Sequence, residues 1–103
     1  MIDRLEETLK KYNEITEELT KEETLKNISL LTKLSKEQSD LSEIVEVYKN
    51  YKNILNNIEE DKELLKDNEL KDIAKEELET LENEKKEIEK KLEVLLLPKD
   101  PND

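Results

Sequence analysis

Apolar residues recur every three or four positions along most of this chain, and the places where that rhythm breaks divide it into segments. Ile2, Leu5, Leu9, Tyr12, Ile15 and Leu19 fall on one helical stripe, with Glu6, Glu7, Lys10 and Lys11 on the opposite side. This spacing predicts a first helix over about 3–19. Thr20 through Asn27 is polar and breaks the pattern, and Thr24 or Asn27 is suited to cap the next helix. The longest stripe then runs through Leu31, Leu34, Gln38, Leu41, Val45, Tyr48, Lys52, Leu55, Ile58, Lys62 and Leu65. Its alternating steps of three and four are those of a heptad seam, which needs a partner helix. With no Pro or Gly to stop it, a second helix is expected over 28–66, about 58 Å at 1.5 Å per residue. Asp67-Asn68 is the one turn signal in the second half, and the Asp67 carboxylate suits the positive end of a new helix. A third helix is expected over 69–97, carrying Ala74, Leu78, Leu81, Lys85, Ile88, Leu92 and Leu95, with Leu81 and Ile88 on its inner face. Pro98 ends it, because the residue before a proline is driven out of helical geometry.

Short connections make successive helices antiparallel neighbours. Folding about Asp67-Asn68 sets Leu65 against Leu70, Ile58 near Leu78, Leu55 near Leu81, and Leu41 near Leu92 and Leu95. Folding about Glu23 lays Ile15 near Leu31, Tyr12 near Leu34 and Leu5 near Leu41. The expected fold is all-α: a three-helix antiparallel bundle with a long helical-hairpin, coiled-coil arm. Glu82/Lys86 and Glu87/Lys91 are expected to support the outer face of the third helix as i,i+4 pairs. Val94 to Leu97 is apolar all round, and with Ile44 and Val47 facing outward it suggests a surface through which two copies could form a homodimer.

Composition narrows the chemistry. The 103 residues include 29 Asp+Glu against 18 Lys+Arg, a formal net charge of -11, and 46% are charged. Such a field repels phosphate backbones and anionic lipid, so a basic nucleic-acid or membrane module is excluded, and no apolar run approaches a membrane span. Disorder has a similar charge signature, but Leu, Ile and Val supply 29 of the 103 residues, above the level at which disorder is expected. Without Gly there is no P-loop, dinucleotide fingerprint or EF-hand loop. Without His or Cys there is no imidazole metal site, disulfide or Cys or Ser-His-Asp nucleophile. The acidic pairs Glu59/Glu63, Asp72/Glu76 and Glu89/Glu93 read as solvated faces rather than metal ligands. Tyr12 and Tyr48 read as core, because base stacking needs a cationic groove beside it. Lys52, Lys62 and Lys85 read as register-setting residues whose stems pack while their ammoniums reach water. No catalytic, cofactor-binding or metal-ligating residue is assigned.

Three strings carry a resemblance. LLLPKDPND at the C-terminal end, Met1-Ile2-Asp3-Arg4-Leu5-Glu6 at the start and KLSKEQSDLSEIVEVYKNYK over 33–52 resemble bacterial class-I peptide chain release factors along the whole chain. They are more similar to the UAA/UAG-reading type than to the UAA/UGA-reading one. The resemblance implies translation termination in the cytoplasm. Residues 1–97 would be the N-terminal helical domain and 98–103 the start of a linker to the catalytic domain. The Gly-Gly-Gln loop and the codon-reading tripeptide would lie outside this stretch, so the chain itself would be no enzyme and would need no cofactor. Its implied partners are the ribosome, at the stalk base of the large subunit, and the rest of the release factor, with no membrane and no sequence-specific nucleic acid. Asp61, Lys62, Lys66, Asp67, Asn68 and Lys71, farthest from Pro98, are the candidate ribosome-facing tip. A free-standing coiled-coil adaptor or prefoldin-like chaperone is the alternative, and it gives LPKDPND no reason to exist. A helical tRNA-binding arm like that of seryl-tRNA synthetases would carry a basic stripe, which this charge disfavours.

Overall fold

A computed structural model describes residues 1–98, so Lys99 to Asp103, most of the expected linker, lie outside the described residues. The described residues are all-α as expected, with four helices in place of three: α1 (Ile2–Glu18), α2 (Glu22–Lys26), α3 (Ile28–Leu64) and α4 (Lys71–Leu96). It divides into two units, Met1–Glu46 and the stretch from Val47 onward. The long helix α3 contributes to each.

In the first unit the α1 stripe follows the predicted spacing from Leu5 onward, with Leu5 and Ile15 buried and Leu9, Tyr12 and Leu19 half-buried, while Ile2, expected to begin it, is exposed. The polar break holds the additional helix. Lys21, in extended geometry, precedes α2, whose Glu22 and Glu23 sit at its positive end and Lys26 at its negative end. Lys26 and Glu22 are 2.9 Å apart. Thr24 is the buried residue of α2 while Leu25 is exposed, so one turn of polar sequence hides its only inward contact at a threonine. Asn27 closes α2 and opens α3. Its backbone N–H donates to the Thr24 carbonyl, and its Oδ1 accepts from the Leu30 N–H at 3.1 Å, the N-cap to N3 bond expected of this residue.

The pairing of α1 with α3 differs from the expected register. Gln38 Nε2 donates to Thr16 Oγ1 at 3.0 Å, and the same hydroxyl donates to the Tyr12 carbonyl at 2.9 Å. Folding about Glu23 would have set Gln38 near Thr8, about two turns away. The connection is a capped helix rather than a tight turn, so α1 need not meet the first turns of α3, and Ile28 and Leu30 there are exposed.

In the second unit α3 and α4 form the expected helical hairpin. Tyr48, Ile58, Ala74, Leu81 and Leu92 are buried, and Leu55, Leu78, Ile88 and Leu95 are half-buried. Two lysines of the α3 seam find partners on α3 itself. Lys52 lies over the Tyr48 ring, 4.8 Å from its centroid, and Lys62 reaches out to Glu59 at 3.4 Å. Glu87 departs from its expected i,i+4 pairing, with Lys90 at 3.7 Å. Tyr51, off the predicted stripe, is buried at 4% exposure.

Ile44 and Val47, expected to face outward, are buried at 8% and 7% exposure. Together with Val45, Tyr48 and Tyr51 they occupy an arc of about 160° at 100° per residue, wider than a two-helix seam. A strict heptad drifts around a straight α-helix by about 20° per repeat, so one linear stripe cannot account for burial along 37 residues. These two residues therefore drop out of the apolar surface expected for a homodimer. Val94 and Leu97, both 65% exposed, remain.

α4 stops where the proline demands. Leu97 is extended, with φ -65° and ψ 141°, directly before Pro98.

Candidate functional site

The hairpin reverses over residues 65–70 without a left-handed residue, and no positive φ occurs among the described residues. The reversal is a chain of tight i→i+3 bonds. Lys66, Asp67 and Leu70 donate their N–H groups to the carbonyls of Glu63, Leu64 and Asp67 at 3.0 to 3.2 Å. Asp67 anchors it in a manner different from the expected cap. Its Oδ1 accepts from the Glu69 N–H at 2.8 Å, an Asx turn, and its carbonyl accepts from Leu70 and Lys71. Leu70, not Asp67, is the N-cap of α4 and has no side-chain bond to it. The carboxylate is drawn to the nearer N–H, two residues on.

Five of the six candidate tip residues, Lys62, Lys66, Asp67, Asn68 and Lys71, are exposed together at this end of the hairpin. Asp61 is not. It is 6% exposed, and its Oδ2 is buried with no hydrogen-bond partner. Lys66 is held by Glu63 at 3.0 Å, an exposed pair of small energetic weight.

Leu64, Leu65, Leu70 and Ile73 were not among the candidate tip residues, yet they are 38%, 36%, 39% and 61% exposed. Leu65 and Leu70, expected to face each other, are thus each more than a third open. The signal available was that Leu64, Leu70 and Ile73 lie off the predicted seam. Over 59–72 the sequence places seven carboxylates against three lysines. The tip accordingly exposes apolar side chains in an acidic field.

Elsewhere the titratable groups are structural. The Tyr51 hydroxyl is pushed above its ordinary value by burial and then by its bond to Glu89. The Lys21 ammonium is raised by its hydrogen bond to Glu18 at 2.6 Å. No group of three or more Asp, Glu, His or Cys side chains that could hold a metal occurs among the described residues. No helix there is long and apolar enough to cross a membrane.

Known proteins give this architecture a context. The PCRF domain family matches residues 8–103. The chain is similar to peptide chain release factor 1 of Campylobacter hominis, at 47% identity over 103 residues, all of this chain and 29% of that protein. It is likewise similar to peptide chain release factor 1 of Helicobacter pylori and of Helicobacter hepaticus, each at 48% identity over 103 residues and 29% of the relative. The chain thus spans under a third of the curated relatives it matches. No solved structure matches. The resemblance carried by the three sequence strings, and not the adaptor alternative, is the one these matches support. With the family match covering nearly the whole chain and identity close to one half, the chain belongs to the PCRF domain family of peptide chain release factors.

Proposed function

We propose that residues 1–97 are the N-terminal helical domain of a release factor of the UAA/UAG-reading type, acting in cytoplasmic translation termination. In this reading 98–103 begin the linker, and the domain positions the factor on the ribosome while peptidyl-tRNA hydrolysis belongs to parts of the factor outside this chain. The contact is made at the large-subunit stalk base through the hairpin tip, with Lys62, Lys66, Asp67, Asn68 and Lys71 at its polar rim. The observation that carries this is the exposed set Leu64, Leu65, Leu70 and Ile73 within an otherwise acidic turn. Apolar residues gathered at the end of a hairpin favour a protein contact. Seven carboxylates there disfavour RNA phosphate. Asp61, being buried, takes no direct part.

Pelleting of the chain with ribosomes tests the reading. The double variant Leu65→Ser/Ile73→Ser, both at exposed positions, should weaken co-sedimentation at least about tenfold while leaving the helical circular dichroism unchanged. Undiminished binding would remove the tip from the contact. The chain added alone to stalled termination complexes should give no release of peptide above background, and stop-codon-dependent release would overturn the division of labour.

A further inference from the structure

The closed part of the hairpin ends on two small side chains. Asp61 on α3 and Ala74 on α4, 6% and 1% exposed, are the last buried residues before the reversal, and every residue from 62 to 73 between them is exposed. Deeper in the hairpin the helices are held more firmly. Even where an open groove lined by Ile54 and Ile88 runs between them, Ile58, Leu81 and Leu92 are buried and the Tyr51 hydroxyl bonds to Glu89.

At the end of the hairpin the side-chain bonds stay within short stretches of chain. Lys62 donates to Glu59, Lys66 to Glu63 and the Glu69 N–H to Asp67. Of the two residues that close this end, Ala74 brings one methyl group. Asp61 brings a carboxylate whose Oδ2 is shut off from water and has no hydrogen-bond partner. Few buried apolar contacts and many exposed backbone bonds are the marks of a segment that opens by itself.

We propose that residues 62–73 form a local unit that opens and recloses on an intact hairpin, and that Asp61 sets the balance between the two states. The opening step is the unwinding of the last turn of α3. There the Leu65 N–H is shared between the carbonyls of Asp61 and Lys62, at 3.2 and 3.3 Å, and both bonds are given up to water. Release of that turn lets the Asp61 carboxylate reach water as well. The desolvation that the closed state imposes on Oδ2 is thereby relieved, so the residue that ends the core also favours the freeing of what lies beyond it. In the open state Leu64, Leu65, Leu70 and Ile73 are no longer held in one arrangement, and the tip presents its apolar side chains in more than one shape. The device is a property of the free chain, whatever the tip meets.

Amide hydrogen exchange, read residue by residue in the parent chain and in Asp61→Leu, tests it. In the parent, the Leu65 and Lys71 amides should be at least about tenfold less protected than those of Ile58 and Leu81, which exchange only when the hairpin comes apart. Asp61→Leu should raise the protection of Leu65 and Lys71 at least about fivefold. Ile58 and Leu81 should gain by a similar factor, because the carboxylate is also released on global unfolding. Asp61→Ala, which adds no bulk, should act in the same direction. A gain at Ile58 and Leu81 alone overturns the proposal, since the carboxylate would then stay shut in while the tip opens. So does equal protection of tip and hairpin amides in the parent, and so does a Leu65 amide indifferent to both substitutions.

Discussion

The Tyr51 hydroxyl donates to Glu89 Oε2 at 3.0 Å, joining α3 to α4 across thirty-eight residues of sequence. It ties a buried ring on one helix to a half-buried carboxylate on the other.

Removing that hydroxyl isolates its contribution. Tyr51→Phe keeps the ring in place and should lower stability by about 1 kcal/mol, the usual net worth of such a bond, read as a lower urea midpoint at unchanged slope. The pH profile should change as well. The Tyr51 hydroxyl titrates above its ordinary value of 10.0 in the fold. A raised folded pKa contributes stability that is fully present below the unfolded value and is lost as pH rises through the folded one. The parent chain should therefore weaken at alkaline pH above about 10, and Tyr51→Phe should weaken less over the same range.

Asn27 Oδ1 accepts the Leu30 N–H at the start of α3. Asn27→Ala should cost about 1 kcal/mol, and Asn27→Gly only a few tenths. Thermal melts of the two variants should keep that order.

Asp61 should behave in the opposite direction. Its buried Oδ2 has no partner, and an orphaned buried acceptor costs about 1–3 kcal/mol. Asp61→Leu should therefore raise the melting temperature. A fall would mean that the carboxylate is satisfied in solution.

Leu92 is 0% exposed and Ile88 only half-buried. Leu92→Ala should cost about 2–5 kcal/mol and Ile88→Ala clearly less, since Ile88 borders the open groove. Equal losses would place Ile88 in the closed core, where the heptad alone had put it.

Much of this fold is legible as periodicity. Leu5 and Ile15 on α1, Tyr48 and Ile58 on α3, and Ala74, Leu81 and Leu92 on α4 are buried at positions the three-four spacing selects. The Asn27 cap and the stop before Pro98 follow from residue chemistry. What escaped has physical causes. A single turn such as α2 is too short to show a period, and its one buried residue is a threonine. The register of α1 on α3 depends on the shape of that connection, which the apolar positions do not encode. Ile44, Val47 and Tyr51 are buried because α3 is covered over more than a two-helix seam, and a pairwise heptad argument counts one neighbour. At the tip, distance from Pro98 selected six polar candidates, of which Asp61 is buried and the other five exposed. The exposure of Leu64, Leu65, Leu70 and Ile73 depends on where the helices stop, which shifted by one or two residues from the expected ends.

The reversal at 65–70 is built wholly from right-handed backbone, closed by i→i+3 bonds and the Asp67 side chain. A left-handed turn would reserve a position for glycine, and any other residue there would be selected against on steric grounds. Here only Asp67 answers to the backbone. Its neighbours Lys66, Asn68, Glu69 and Leu70 are free, as far as folding is concerned, to be almost any residue except proline where an N–H is donated. The identities found at the tip are thus available to be set by whatever the tip touches. Randomising those four positions while holding Asp67 would separate the demands of a partner from the demands of the chain.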